Sequence, residues 1–234
     1  MSRRNKLEKF AELLTFKNVY QNYYHKDPTL RHLHGTIVER KGKWSTDHFG
    51  NANPIVLELA CGWGEYSIGM ARQSPTTNFI GVDIKGNRIW KGAKLALEEG
   101  LQNVAFLRTR IEQIDMFFDP AEIAEIWITF PDPFLKDSKS NRRLTALPFL
   151  HRYRNILKPQ GLLHLKTDSD ELYEFTLLTV EEAPFFELLY HNDDIYSEPL
   201  QHEALHIKTK YEAMHLENGR TIKYVQVRLK DMGR

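Results

Sequence analysis

The sequence of 234 residues predicts an α/β protein: a Rossmann-like, doubly wound, mostly parallel sheet with helices on both faces and an antiparallel edge. Three observations carry this. Beyond Asn51-Ala52-Asn53-Pro54, short apolar runs alternate with longer segments of helical period. Several of the runs end on a glycine-rich or acidic turn, as strands do at the ligand-binding end of such sheets. The last two apolar runs close the chain as a pair suited to antiparallel packing.

In order, residues 6–14 carry a short helical pattern, and the remainder to Gly50 mixes polar and aromatic positions without a period. Residues 1–50 are therefore expected as an N-terminal extension, either flexible or RNA-contacting through Arg3, Arg4, Lys6 and Lys9, and residues 51–234 as the main domain. Residues 55–59, 78–82, 104–107, 125–129 and 162–166 read as strands, the first and fourth of them buried. Residues 65–72, 87–99, 146–157 and 169–182 read as helices, with Gly100 ending the second of them. Lys158-Pro159-Gln160-Gly161 reads as a turn, and residues 185–190 and 222–229 as closing strands.

Hydrophobic residues make up 41% and charged residues 27%, as in ordinary globular proteins. No apolar run approaches the roughly 20 residues that span a bilayer. The basic start, Met1 to Lys6, is not followed by a signal-peptide apolar region, so a cytoplasmic location and no membrane partner are expected. One cysteine, Cys61, excludes an internal disulfide, and ten histidines without ligand spacing give no reason to expect a metal. Net charge is only +1, but residues 136–158 concentrate Lys136, Lys139, Arg142, Arg143, Arg152, Arg154 and Lys158 against Asp137 alone. Such a cluster attracts phosphates on an otherwise neutral protein.

Phe130-Pro131-Asp132-Pro133-Phe134 is the most informative stretch. Two prolines stop ladder pairing after a strand and stiffen the backbone around one acid. Glu58-Leu59-Ala60-Cys61-Gly62-Trp63-Gly64 is a small-residue turn between strand and helix, where a ligand can approach the backbone. It fits the dinucleotide pattern G-x-G-x-x-G poorly, and Glu58 opposes a pyrophosphate. A ligand with an ammonium group, such as S-adenosylmethionine, suits it better; an ordinary tight turn is the competing reading. Asp83 ends the second strand about 20 residues later, where an acid can take both ribose hydroxyls, or else cap the next helix. Asp168 ends the fifth strand, with a helix cap as the plainer reading. Thr209-Lys210-Tyr211-Glu212 can pair with a base edge, stack and touch phosphate, or be a solvated loop.

These stretches stand in the order found in bacterial-type tRNA (guanine-N7)-methyltransferases, which the chain resembles from about Val56 onwards. The specific matches are Phe130-Pro131-Asp132-Pro133 with Lys136, Asn141-Arg142-Arg143, Thr167-Asp168 and Thr209-Lys210-Tyr211-Glu212. The resemblance implies a methyl transfer from S-adenosyl-L-methionine to N7 of a guanosine in the tRNA variable loop, position 46 in tRNA numbering. It implies Asp132 as catalytic residue. It implies Glu58, Ala60, Gly62, Gly64, Asp83, Arg110 and Asp132 as cofactor positions, and Lys136, Asp168, Thr209, Lys210, Tyr211 and Glu212 as substrate positions. Ser138, Lys139, Ser140, Asn141, Arg142 and Arg143 match the RNA-contacting stretch. The family usually has glycine at Ala60, an acid where Arg110 stands, with Glu112 as a nearby substitute, and often tryptophan at Phe134. An RNA-binding module without cofactor and a small-molecule methyltransferase stay open as alternatives, as do monomer and homodimer.

Overall fold

In the structure, a computed structural model that describes residues 6–231, the aliphatic runs become strands at the expected places. Arg3 and Arg4 lie outside the described residues. The contacts divide the chain after Asp119 into two compact units.

The first unit runs α1 (Lys6–Leu13), β1 (Val19–Gln21), β2 (Leu30–Arg31), β3 (Ile37–Val38), β4 (Ile55–Leu59), α2 (Glu65–Gln73), β5 (Asn78–Asp83), α3 (Gly86–Glu98) and β6 (Val104–Arg108). Its strand order is β3-β2-β1-β6-β5-β4. The β4, β5, β6 and β1 pairings are parallel, and β2 and β3 add an antiparallel edge. Every residue of β4 and β5 is buried, which is why both read as continuous runs rather than alternating ones.

Residues 6–50, expected as an extension, belong to this unit. Leu13, Tyr20, Leu30 and Trp44 are among its most buried side chains. Trp44 Nε1 donates to the Phe117 carbonyl at 2.9 Å, and Asn18 Nδ2 to the Ala93 carbonyl at 3.0 Å. Gly86 admits the Phe10 ring where a Cβ would sit 2.7 Å from it, so α1 docks against the start of α3. Strands of two or three residues have no period to read, and their partners lie far along the chain.

One packed histidine sets an acid limit on stability. His48 Nδ1 lies 2.9 Å from the Tyr20 hydroxyl, and burial, with His32, Arg40 and Lys17 nearby, pushes its pKa down to about 4. In the unfolded chain an ordinary histidine takes its proton near pH 6.5. The unfolded state therefore binds the extra proton first as pH falls. The His48 contribution is intact above about pH 6.5 and is lost between there and about pH 4, at up to about 1.4 kcal/mol per pH unit. His48→Gln should flatten this acid limb in thermal melts run from pH 7 to pH 4; an unchanged slope would remove His48 from the account.

The second unit runs β7 (Ile123–Thr129), α4 (Leu147–Ile156), β8 (Leu157–Thr167), α5 (Asp170–Glu181), β9 (Phe186–Asn192), α6 (Lys210–Glu217) and β10 (Lys223–Leu229), in the order β7-β8-β10-β9. β7 and β8 are parallel; β10 runs antiparallel to both its neighbours, giving the expected antiparallel edge. The expected turn at 158–161 is instead an irregularity within β8. The register shifts there, Gln160 adopts φ +64°, and a Cβ on Gly161 would lie 2.8 Å from the Lys158 carbonyl. Ser169 caps α5, its hydroxyl accepting the Leu172 N–H at 3.2 Å. No helix among the described residues is long and apolar enough to cross a membrane.

Candidate active site

In the first unit the turn after β4 is built from backbone that ordinary residues avoid. Ala60, Gly62 and Gly64 all take positive φ, at +58°, +56° and +71°. Gly64 is the N-cap of α2 and a Cβ there would meet the Phe106 ring at 2.5 Å. Because a glycine N-cap offers no side chain, Glu58 supplies the cap from β4: its Oε2 accepts the Ser67 N–H at 2.8 Å and the Ser67 hydroxyl. Glu58 is 2% exposed, so the expected ammonium-facing carboxylate is a buried brace for the helix start. Asp83 fastens the same turn, Oδ2 accepting the Gly62 N–H at 2.9 Å and Oδ1 the Lys85 N–H at 2.7 Å. Burial raises its pKa while those two N–H bonds oppose the rise. Each oxygen keeps a second lone pair for a ligand hydroxyl. A Cβ on Gly62 would meet only the Ala60 carbonyl, 4.0 Å away, so there is open room beside the backbone for a cofactor.

Ala60 stands at a left-handed position that a glycine takes without strain. The turn keeps its left-handed form with alanine, at the cost of about 1 kcal/mol of backbone strain. Ala60→Gly should raise the melting temperature by roughly 2–4 °C in a scanning calorimeter; a loss of stability would contradict the strain. Cys61 is buried and its thiol is pushed well up by burial, beside Glu58 and Asp83, so it is not a thiolate. Arg110 and Glu112 stand just beyond β6, both exposed and without a side-chain hydrogen bond or ion pair among the described residues.

In the second unit Thr129 lies opposite Lys166, so the turns carrying Asp132 and Asp168 leave adjacent parallel strands at the same end. Phe130 and Phe134 take φ +47° and +45°, which is rare for bulky side chains. Two left-handed phenylalanines thus bracket Pro131-Asp132-Pro133, each storing about 1–3 kcal/mol of strain. The surroundings hold the strain in place. The Phe130 N–H donates to the Lys166 carbonyl at 2.8 Å, and the Phe130 ring stacks on His215. Arg143 donates from Nε to the Pro133 carbonyl at 3.0 Å and from Nη2 to the Phe134 carbonyl at 3.2 Å, and lies over the Phe175 ring. Asp132 itself is exposed, with no side-chain hydrogen bond or ion pair among the described residues.

The rest of the expected substrate set divides into presented and internal groups. Lys136, Ser138, Lys139, Asn141 and Arg142 are exposed on a 3-10 turn, Asp137–Arg142, and its approach; Ser140 is half-buried. The Arg142 guanidinium lies 4.7 Å from the Phe134 ring centre. Arg143, expected at the RNA, is 5% exposed and has its guanidinium committed to the Asp132 turn. Asp168 does not cap α5, a role Ser169 fills; its Oδ2 pairs with Arg220 at 2.6 Å and His215 at 3.3 Å. Thr209 is the N-cap of α6, its hydroxyl accepting the Glu212 N–H at 3.2 Å. Glu212, expected to face substrate, is fully buried and both carboxylate oxygens are engaged by Lys166, with Tyr196 also donating to it at 2.6 Å. Lys210 and Tyr211 are exposed. Sequence reasoning did not find Arg143 as a brace, nor Lys166, His215 and Arg220 as partners. Among the described residues no group of three or more His, Cys, Asp or Glu could hold a metal ion.

A family described as "Putative methyltransferase" matches residues 52–225 by its sequence profile. The chain is 48% identical over 231 residues to a tRNA (guanine-N(7)-)-methyltransferase of Christiangramia forsetii, covering 98% of this chain and 100% of that one. A protein of the same name from Bacteroides thetaiotaomicron is 45% identical, over 98% and 88% of the two chains. The chain belongs to the tRNA (guanine-N(7)-)-methyltransferase family.

Solved methyltransferases outside this family share its fold. The 16S rRNA methyltransferase KamB superposes with a TM-score of 0.63 at 14% identity, over 84% of this chain and 97% of that one. A 16S rRNA (adenine(1408)-N(1))-methyltransferase from Catenulisporales acidiphilia, solved with cosubstrate SAM, gives a TM-score of 0.57 at 13% identity, over 85% and 96%.

Proposed function

We propose that this chain transfers a methyl group from S-adenosyl-L-methionine to N7 of a guanosine in the variable loop of tRNA, position 46, in the cytoplasm. Membership in the family supports the reaction type, and its named relatives act on tRNA guanine N7. The observation that carries the reading is Asp132: an unpartnered carboxylate fixed by two strained phenylalanines, with Lys136, Lys139 and Arg142 exposed in the following turn.

The first unit holds the donor. Gly62 leaves room along the backbone and Asp83 offers lone pairs to ribose hydroxyls, while Glu58 keeps the helix start in place. Arg110 and Glu112 are exposed near the strand end and available to the adenine. When bound, the donor supplies an electrophilic methyl on a sulfonium.

The second unit handles the acceptor. Guanine N7 is a lone pair with no proton to remove, so no general base is required. The protein must align the base and exclude water. Positive charge moves onto the purine as the methyl is transferred, and a fixed carboxylate at Asp132 stabilises that movement. The N–H donors of the guanine edge pair with Asp132 or with the open Oδ1 of Asp168. Lys136, Lys139 and Arg142 hold phosphates.

Two neighbouring arginines separate binding from positioning. Arg142→Ala should weaken tRNA binding and reduce its salt slope by about one phosphate contact, roughly 0.7–0.9 in the log–log plot. Arg143→Ala should leave that slope alone and lower turnover and melting temperature by releasing the Asp132 turn. Equal slopes in both variants would merge the two roles.

Nucleoside analysis of tRNA lacking 7-methylguanosine, after incubation with the protein and labelled S-adenosyl-L-methionine, tests the proposal. Labelled 7-methylguanosine is expected; label on another base, or none, would refute it. Calorimetry with the same donor separates a cofactor-free RNA binder, which need not bind it, from an enzyme.

A further inference from the structure

The loop that follows β1 is built in a way the proposed chemistry does not use. Residues 22–29 leave β1 on the same side as the donor turn, because Gln21 pairs in register with Arg108 and Arg108 with Asp83. A buried polar staple fixes the loop. Asn22 Nδ2 donates to the Asp27 and Thr29 carbonyls at 2.6 and 3.0 Å. Gln113 Nε2 donates to Asn22 Oδ1 at 2.6 Å and to the Tyr24 carbonyl at 3.2 Å, and Gln113 Oε1 accepts the Lys26 N–H at 2.8 Å. Asn22, Thr109 and Gln113 are all buried. Burying such groups is costly unless each finds a partner, and once partnered they fix one conformation.

What this staple presents is aromatic and cationic. Tyr23 is 44% and Tyr24 61% exposed, and His25 and Lys26 are exposed beside them. The Arg108 guanidinium lies 4.8 Å from the Phe10 ring centre and 5.4 Å from that of Tyr23. The Lys6 ammonium also lies over the Phe10 ring, 5.9 Å from its centre. The loop's one acid, Asp27, is turned to its own backbone, Oδ1 accepting the Thr29 N–H at 2.8 Å. An open groove of about 430 Å³ adjoins the loop, lined by Leu7, Phe10, Leu14, Gln21, Tyr23 and Arg108. Exposed rings on a hydrogen-bonded loop, with Arg108 over the Tyr23 ring and Lys26 exposed in the same loop, match an unpaired nucleotide: a flat base to stack and a phosphate to neutralise.

We propose that the Tyr23–Lys26 loop and the groove beside it dock the RNA substrate away from the methylated base, with an unpaired base stacked on the tyrosines and phosphate on Arg108 and Lys26. This rests on the tRNA reading above and adds a second contact surface to it.

The test uses the full chain and an unmodified tRNA transcript. The double variant Tyr23→Ala with Tyr24→Ala should bind tRNA about tenfold to a hundredfold more weakly by filter binding. Its affinity for S-adenosyl-L-methionine and its melting temperature should match the parent. Tyr23→Phe with Tyr24→Phe, which keeps both rings, should bind tRNA as the parent does. Parent protein that binds tRNA alongside an alanine variant of equal affinity would overturn the docking surface alone. A phenylalanine variant as weak as the alanine one would also overturn it, since the hydroxyls rather than the rings would then matter. Parent protein that binds the donor but not tRNA would instead overturn the functional reading beneath it.

Discussion

Asp132→Asn should lower methyl transfer by about a hundredfold to a thousandfold, the cost of losing one fixed electrostatic contact to developing charge. The substitution keeps size and shape and removes only the charge. Because Asp132 is exposed and makes no side-chain bond among the described residues, the melting temperature should not move. Donor affinity should survive, since the glycine turn and Asp83 are untouched. The loss should fall on turnover more than on tRNA affinity, which the neighbouring cations supply. Single-turnover methylation with saturating donor reads this directly. A variant with parental turnover would leave the strained Phe130–Phe134 turn without a chemical purpose.

Lys166→Met should be the most destabilising single change in the second unit. Lys166 is fully buried and donates to the Leu205 and Ile207 carbonyls, at 3.0 and 3.2 Å, as well as to Glu212. Burial pulls its pKa down and the Glu212 carboxylate pulls it back up. Removing the lysine strands a carboxylate in the interior, which costs about 3–5 kcal/mol. For a chain of this length that is roughly 10 °C in melting temperature. The segment ahead of α6, with Thr209 at its cap, loses its anchor to β8, so turnover should fall too. Adding Glu212→Gln should restore part of the stability, because the amide can still accept from Tyr196 and no buried charge remains. Additive losses in the double variant would show that the pair is not coupled.

Much of this was legible in the sequence, for physical reasons that differ by element. β4 and β5 are buried along their whole length, so apolar residues fall on both faces of each strand, as in Ile55-Val56-Leu57 and Phe79-Ile80. Gly100, at φ +69°, ends α3 where a glycine was expected to. The short β1, β2 and β3 were not legible, because their pairing is long-range and too brief for a pattern. α6 was missed although its signal was present: Thr209-x-x-Glu212 is a capping-box spacing, here with Thr209 taking the Glu212 N–H. Glu212 turns inward to Lys166 instead of back to the cap or out to solvent, which residue type alone does not show.

At the candidate site the sequence identified the turns but not the division of labour within them. Adjacent arginines are indistinguishable in a string, yet Arg142 is exposed against a ring while Arg143 is buried against two carbonyls. The buried duty of Glu58, capping α2 past a glycine, needs a fold to see. Left-handed φ at Phe130 and Phe134 has no sequence signal apart from the prolines around Asp132.

The most direct test of the central claim is a strand-cleavage map of tRNA after reaction, using chemistry that breaks the chain only at 7-methylguanosine. One cut is expected, at the variable-loop guanosine, and at equal short reaction times Asp132→Asn should form it about a hundredfold or more slowly than the parent protein. Cuts at scattered guanosines, or a single cut that the variant forms at the parental rate, would contradict the account.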